Sequence, residues 1–239
     1  DVHYVSFVMS DGDNLQWLMG DYDSPKWFGN EHRGDFPMGW MIPPAAAELC
    51  PLVLQYYYDA ASPTDRFVAG NSGHGLIYPK SHHWSEIHAN RSNDIFKKAD
   101  VEVVTIQDWG WQPESFEDVT TLPQVTGCIY NDYRQYALQS GKAMWLDDKP
   151  CVSFTYNLWL GMDSPSIIRN GIHSASTNVN DNNAYTLVVI HAWTYTLDEV
   201  SELVESLNDN VRVVDPESFI QLYSANLEHK NTFALRFRI

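Results

Sequence analysis

The sequence predicts an α/β protein, an irregular (β/α) barrel-like domain with a mostly parallel sheet. Short segments rich in β-branched and aromatic residues alternate with segments of helical pattern, which is typical of α/β layers and barrels. No repeat, low-complexity tract or linker divides the 239 residues. We therefore expect residues 1–239 to form a single domain. Because the chain opens directly in a predicted strand, we expect either that a leader has been removed or that this domain is the later part of a longer protein.

The predicted strands share a short length and a high content of β-branched and aromatic residues. They fall at residues 4–9, 38–42, 67–69, 101–106, 127–130, 143–146, 152–156, 187–191 and 211–213.

The predicted helices are recognised by their caps and apolar stripes. Helix 197–207 has Thr196 as its N-cap and Glu199 three residues later, the pattern of a capping box. Helix 216–223 has Asp215 as its cap and Pro216 at its first position. Further helices are predicted at residues 43–49, 83–98 and 165–171.

The composition excludes several classes of partner. The chain has 31 Asp and Glu against 15 Lys and Arg, a formal net charge of −16, which would repel nucleic acid and anionic lipid. No apolar run is long enough for membrane insertion. The 13% of aromatic residues is typical of a folded protein rather than a disordered polyacid. The glycosylation triplet Asn90-Arg91-Ser92 favours a secreted or extracytoplasmic location, and self-association is left open.

Polar side chains follow most of the predicted strands. In parallel α/β folds the ligand site lies at the carboxyl ends of the strands. We therefore expect these residues to converge at that end of the sheet, which we call the mouth. They are Asp11, Asp13 and Asn14 after the first strand, Asn71, Gly73 and Gly75 after the third, Asp108 and Trp109 after the fourth, Asp132, Asn157, and finally His191 and Trp193.

The turn from Ser10 to Asn14 carries two carboxylates, which could act as a tuned acid and base or share a metal. Alternatively, Asp11 caps the helix that follows. For hydrolysis of a glycosidic bond, the preferred pair is one of Asp11 or Asp13 with Asp132, and His191 is a further catalytic candidate beside its alternative as a rim residue. No cofactor is expected, although a divalent metal near Asp13 and His191 is kept as an alternative.

Two further features indicate substrate binding. The glycine-rich stretch 70–79 offers bare backbone amides to an anion or a sugar hydroxyl, and a structural loop is its alternative. Four tryptophans that follow strands could stack on a pyranose ring or pack in the core; they are Trp109, Trp111, Trp159 and Trp193.

The segment Gly73-His74-Gly75-Leu76-Ile77-Tyr78-Pro79 resembles the signature of the GxGYxYP family of putative glycoside hydrolases. The opening segment from Tyr4 to Asn14 is similar to that family's sequence as well, and the likeness covers nearly the whole chain as the family's C-terminal domain. Leu76 stands where the family name has a tyrosine. The resemblance implies carbohydrate hydrolysis, and we include Tyr78 among the candidate substrate-binding residues.

The segment from Val189 to Trp193 and the helix that follows it resemble the closing histidine strand of polysaccharide-deacetylase-like barrels. Those enzymes combine that histidine with adjacent aspartates and a His-x-x-x-His motif, whereas this chain has Asp11-Gly12-Asp13 and no such motif. The leading hypothesis is therefore a glycoside hydrolase. A non-catalytic carbohydrate-binding or assembly module and a metal-dependent deacetylase are the alternatives.

Overall fold

The computed structural model describes residues 1–83 and 85–227 of the chain. Its strands are β1 (His3–Met9), β2 (Met38–Ile42), β3 (Asp65–Ala69), β4 (Val103–Asp108), β5 (Gly127–Asp132), β6 (Ala143–Leu146), β7 (Lys149–Ser153), β8 (Tyr156–Leu158), β9 (Tyr185–Ile190) and β10 (Val211–Val213). Its α-helices are α1 (Leu15–Leu18), α2 (Ala46–Leu49), α3 (Pro51–Ala60), α4 (Ser85–Ala99), α5 (Glu117–Thr120), α6 (Pro165–Ser174), α7 (Leu197–Glu205) and α8 (Pro216–Asn226).

The strands form one curled sheet, in the order β6-β7-β5-β4-β3-β2-β1-β9-β8, with β10 added beside β1. Every strand pair is parallel except β6 with β7. This confirms the predicted mixed α/β fold with a mostly parallel, barrel-like sheet.

One segment, residues 149–158, links the two ends of the curled sheet. Its first half is β7, which pairs with β5, and its second half is β8, which pairs with β9. Between them the Phe154 amide donates to Tyr130 of β5, and the Thr155 amide donates to Leu187 of β9. The sequence predicts one strand at residues 152–156, but the chain changes partners there and forms two.

The two faces of the sheet carry separate apolar clusters. Along β1, Phe7 and Met9 belong to the larger cluster, which the surrounding helices cover, whereas Val8 belongs to a smaller cluster that packs on α8. Side chains alternate along a strand, so the Val8 face continues at the carboxyl ends of β1 and β9 as Ser10 and His191. The fold thus brings polar groups together above the smaller cluster.

Most predicted elements are confirmed with small shifts of their ends. The caps hold as well: the Glu199 carboxylate accepts the Thr196 amide at 2.8 Å, and the Asp215 carboxylate accepts the Ser218 amide at 3.0 Å. The predicted helix 43–49 is shorter, since α2 begins at Ala46.

Helix α3 is missing from the sequence prediction. Its run of three tyrosines favours a strand by local propensity. In the structure, burial of Leu54 and Tyr57 in the larger apolar cluster outweighs that preference.

Of the helices described, none is long and apolar enough to cross a membrane. The secreted location, the avoidance of nucleic acid, the single-domain boundaries and self-association stay predictions. Trp84, which falls in the predicted helix 83–98, and residues 228–239 lie outside the described residues.

Candidate active site

The turn after β1 is pressed tightly against β2. A Cβ on Gly12 would lie 1.5 Å from the Met41 carbonyl oxygen, so only glycine fits this position. Asp11 adopts a left-handed φ of 63°. The cap of α1 is Asn14, whose side chain accepts the amides of Gln16 and Trp17 at 3.0 and 3.3 Å. Asn14 rather than Asp11 therefore caps α1, and the carboxylates of Asp11 and Asp13 are available for other contacts.

Asp13 is a half-buried carboxyl group packed over the loop that follows β3. A Cβ on Gly70 would lie 2.8 Å from the Cβ of Asp13, which shows how closely the turn and the loop approach each other. Burial, together with the negative charge of Asp11, raises the pKa of Asp13 from 3.8 to about 6. Within residues 1–83 and 85–227, its carboxylate has no hydrogen-bond partner other than its own backbone amide. Asp13 can therefore hold a proton close to neutral pH.

Asp11 is held by hydroxyl groups from both sides. The Ser10 hydroxyl donates to its Oδ2, and the Tyr136 hydroxyl donates to its Oδ1 at 3.4 Å. The Nε2 of His191 lies 3.9 Å from the same Oδ2. The two hydroxyl groups fix the orientation of the Asp11 carboxylate at the end of β1.

His191 lies at the end of β9 with only 7% of its surface exposed. Its ring stacks face to face on Trp159, with the ring centroids 3.6 Å apart and the planes 7° from parallel. Burial lowers the pKa of His191, although the charge of Asp11 acts in the opposite direction. Its buried Nδ1 has no hydrogen-bond partner among the described residues. The imidazole is therefore held neutral, with one nitrogen facing the Asp11 carboxylate.

Asp132 contrasts with the aspartates of the β1 turn. It is fully buried, and Arg134 binds it through Nε at 2.9 Å and Nη2 at 3.0 Å, while Gln139 donates at 2.8 Å. Burial alone would raise its pKa, but these hydrogen bonds hold the pKa of Asp132 below its usual value. Because its lone pairs are already used, we do not include Asp132 in the acid pair.

Asp108 is also fully buried, and it organises three aromatic side chains. Its carboxylate accepts the amides of Lys80 and Trp109, each at 2.8 Å, and its carbonyl accepts the amide of Tyr133 at 2.9 Å. It is thus a structural residue rather than one that faces a substrate.

The side chains of Tyr78, Trp109 and Tyr133 form a cluster that we call the aromatic shelf. Trp109 stacks on Tyr133 with ring centroids 4.2 Å apart, and Tyr78 meets Tyr133 edge-on at 5.2 Å. Each residue comes from a different loop, after β3, β4 or β5, respectively. The shelf is therefore part of the mouth predicted from the strand ends.

The glycine-rich loop is anchored to its surroundings. Gly73 has a φ of +131° and leaves no room for a Cβ beside His88 and Ser92 of α4, whereas a Cβ on Gly75 would meet nothing. Asn71 is buried and accepts a hydrogen bond from Asn131 at 2.8 Å. Gly73 and Asn71 thus have clear structural roles, whereas nothing around Gly75 requires a glycine. The contact of all three residues with substrate stays a prediction.

Two other candidate substrate-binding residues, Trp193 and Asn157, have different surroundings. Trp193 is exposed and packs against Trp17, with ring centroids 4.2 Å apart. Asn157 lies inside β8, fully buried, and neither polar atom of its side chain has a partner in the described part of the chain. The same is true of Asn131 Oδ1. These atoms, with Nδ1 of His191, leave unused hydrogen-bonding capacity beneath the mouth.

Sequence reasoning missed Tyr136, and it gave Trp159 no specific partner. Tyr136 follows the end of β5 by four residues, so an inspection of the loop beyond the strand end would have included it. The position of Trp159 opposite His191 follows from the pairing of β8 with β9, which pairs Leu158 with Ile190.

Few side chains at the mouth could bind a metal ion. Catalytic zinc usually takes three protein ligands. Among the described residues there is no group of three His, Cys, Asp or Glu side chains able to hold a metal ion. Asp11 and His191 alone do not fit the metal centre that a metal-dependent deacetylase needs, so we derive no step through a metal.

The fold and this chain's sequence are similar to those of known structures. A putative hydrolase from Bacteroides thetaiotaomicron VPI-5482 is 29% identical and superposes with a TM-score of 0.87 over 95% of this chain and 46% of that chain. This chain thus spans about half the length of that protein. A putative polysaccharide deacetylase from Mycobacterium smegmatis is 10% identical, with a TM-score of 0.59 over 99% of this chain and 96% of that chain, which shows a shared fold.

No curated protein matches the chain significantly. A family model does match it, over residues 1–224, and it confirms the resemblance carried by the glycine-rich stretch. The chain belongs to the family described as the GxGYxYP putative glycoside hydrolase C-terminal domain.

Proposed function

We propose that this chain hydrolyses a glycosidic bond, with Asp13 as the general acid and Asp11 as its carboxylate partner. The observation that carries the proposal is the raised pKa of Asp13, about 6, beside a second carboxylate that accepts two hydroxyl donors. Glycosidases need one carboxyl that keeps its proton and one that is charged. The family description of a putative glycoside hydrolase supports the same chemistry.

In this reaction Asp13 gives its proton to the glycosidic oxygen while the bond from that oxygen to the anomeric carbon breaks, so the departing sugar leaves with a new hydroxyl group. Asp11 either bonds to the anomeric carbon or takes a proton from the water whose oxygen bonds there. One water is consumed in both cases. In the first case Asp13 later accepts the proton of the water that releases the sugar from Asp11.

Ser10, Tyr136 and His191 act through Asp11 in this scheme. The two hydroxyl groups fix the orientation of its carboxylate, and the neutral His191, held flat by Trp159, limits its movement on the remaining side. We regard these three as positioning residues.

The test exchanges the two aspartates one at a time, as Asp11→Asn and Asp13→Asn, in the full protein. The substrates are cellotriose, chitotriose and xylotriose, and the readout is release of reducing sugar. On any trisaccharide that the wild-type protein cleaves, we expect each variant to lose about 10²–10⁴-fold in kcat/KM, the usual contribution of a general acid or base.

Asp209→Asn is the matched control, because Asp209 is an exposed aspartate outside the strand ends. It should keep the wild-type rate. Wild-type turnover in both Asp11→Asn and Asp13→Asn would overturn the proposed function, and release of acetate from chitotriose without cleavage of the chain would indicate a deacetylase instead.

A further inference from the structure

The aromatic shelf is unusual in being both exposed and rigidly held. Trp109 is 47% exposed and Tyr133 is 43% exposed, although large rings are usually buried. Aromatic rings that stay at the surface in a fixed geometry are typical of binding sites. The shelf is therefore suited to bind a ligand that has a flat apolar face.

Asp108 is the group that fixes the shelf. Its carboxylate and carbonyl hold the backbone at Lys80, Trp109 and Tyr133, and the Tyr130 hydroxyl donates to the same carbonyl at 2.9 Å. A fully buried carboxylate without partners would be costly, so its hydrogen bonds to two loops tie those loops together. The rings are pre-organised, and binding a ligand would require little further ordering.

The shelf lies on the Asp13 side of the β1 turn, and His191 lies on the other side. The loops that carry the shelf follow β3, β4 and β5, which lie beyond β2 in the sheet, and Asp13 packs against Gly70 at the start of the loop that carries Tyr78. On the other side, His191 and Trp159 meet Asp11 through the 3.9 Å contact of His191. Following the strand order, His191 and Trp159 at β9 and β8 come first, the turn with Asp11 and Asp13 after β1 comes next, and the shelf on the loops after β3, β4 and β5 comes last.

We propose that the aromatic shelf binds the sugar ring on the leaving-group side of the scissile bond. This inference rests on the proposed function, in which Asp13 protonates the oxygen that departs with that ring. The ring next to Asp13 is then the one that leaves, and the ring that keeps the anomeric carbon lies toward Asp11 and His191.

The chemistry of the shelf also points to a class of sugar. An indole or phenol ring packs against a pyranose face that presents only C–H bonds, and this face is broadest when the hydroxyl groups are equatorial. The shelf should therefore bind pyranoses of the glucose, N-acetylglucosamine or xylose type.

The experiment compares two leaving groups in the full protein. One substrate is the trisaccharide that the wild type cleaves best among cellotriose, chitotriose and xylotriose, whose leaving group is a sugar. The other is the β-glycosyl fluoride of the same sugar, whose leaving group is a single atom that needs neither a proton nor a shelf. The variants are Trp109→Ala and Tyr133→Ala, and the control is Tyr56→Ala, which removes a ring that is also 47% exposed but lies on α3.

We expect each shelf variant to lose about tenfold more in kcat/KM on the trisaccharide than on the fluoride, the effect of one lost stacking partner. Tyr56→Ala should not change the ratio of the two rates. An equal loss on both substrates, or no loss on either, would overturn the inference.

Asp11→Asn and Asp13→Asn separate this result from the proposed function. Asp11→Asn should lose activity on both substrates, whereas Asp13→Asn should lose far more on the trisaccharide, because fluoride leaves without a proton. If the wild type cleaves none of the trisaccharides, calorimetric titration of the same sugars decides: binding that Trp109→Ala abolishes supports the shelf, and absence of binding overturns it.

Discussion

The mouth of the sheet holds two pairs of aspartates that look equivalent in the sequence but differ in their surroundings. Asp108 and Asp132 end neighbouring strands, pair in register and are fully buried, and backbone amides, Arg134 and Gln139 occupy their carboxylates. Asp11 and Asp13 lie on a single turn, partly open, and Asp13 has only its own backbone amide as a partner in the described residues. The first pair holds loops in place, and the second pair is left for chemistry.

The role of a strand-end carboxylate therefore depends on its unused lone pairs and on its proton affinity, not on its position alone. Hydrogen bonds lower the pKa of Asp132, so it stays charged and satisfied. Burial next to another acid raises the pKa of Asp13, so that its charged form is disfavoured. Opposite pKa shifts within one mouth distinguish the structural acid Asp132 from Asp13, the acid of the proposed function.

The largest expected effect is a difference in kcat/KM between variants of the two aspartate pairs. Asp13→Asn should lower kcat/KM by about 10²–10⁴-fold because it removes the proton donor. Asp132→Asn should retain turnover within a few-fold of wild type, measured under conditions where the variant is folded. If Asp132→Asn were as inactive as Asp13→Asn while folded, the division into structural and catalytic pairs would be wrong.

The next largest expected effect is a difference in the free energy of unfolding between variants of the two aspartate pairs. Asp132→Ala removes an acceptor from the Gln139 amide and from the Arg134 backbone amide, and we expect a loss of about 2–3 kcal/mol in the free energy of unfolding. Asp13→Ala should cost far less, because no neighbouring side chain loses a partner. Urea denaturation of the two variants, each compared with wild type, measures this contrast.

The pH dependence gives a directional test on Asp13. Its pKa is raised to about 6 in the folded chain and returns to its ordinary value of 3.8 on unfolding, so the folded state binds more protons between those two values. The contribution of Asp13 to stability is therefore present below pH 3.8 and is lost as the pH rises to about 6.

The melting temperature of Asp13→Asn, relative to wild type, should accordingly increase across this range and level off above it. The rate of the wild-type enzyme should decline on the alkaline side with a pKa of about 6. A relative melting temperature that stays constant across the range would contradict the assignment.

The smallest expected effect concerns Tyr136. Tyr136→Phe removes the 3.4 Å hydrogen bond to Asp11 but keeps the ring beside Trp159 and His191. We expect a loss of about fivefold in kcat, which corresponds to one weak hydrogen bond, with KM unchanged. A change in KM alone would mean that Tyr136 contacts substrate rather than orienting Asp11.

The sequence allowed most of the strands to be placed because buried parallel strands are short, apolar and bounded by polar turns. It also predicted that Asp11, Asp13 and His191 converge, since the carboxyl ends of parallel strands share one edge. Two caps and the family resemblance could be read from local motifs as well.

Other features depend on contacts that local patterns do not encode. The assignment of the cap to Asn14 requires knowing where α1 begins, and the division of residues 149–158 between β5 and β9 requires knowing the curl of the sheet. Tyr136 approaches Asp11 across 125 positions of sequence. The Arg134 that neutralises Asp132 stands only two residues away, so a check of nearby cations would have predicted that ion pair.

The central position of β1 has a consequence for protein synthesis. This strand pairs with β2, which follows it in the chain, but also with β9 and β10, which are synthesised after the other strands described. Asp11 and His191 therefore meet only after β9 has been translated. A nascent or truncated chain that ends before β9 therefore carries both aspartates without their neutral histidine.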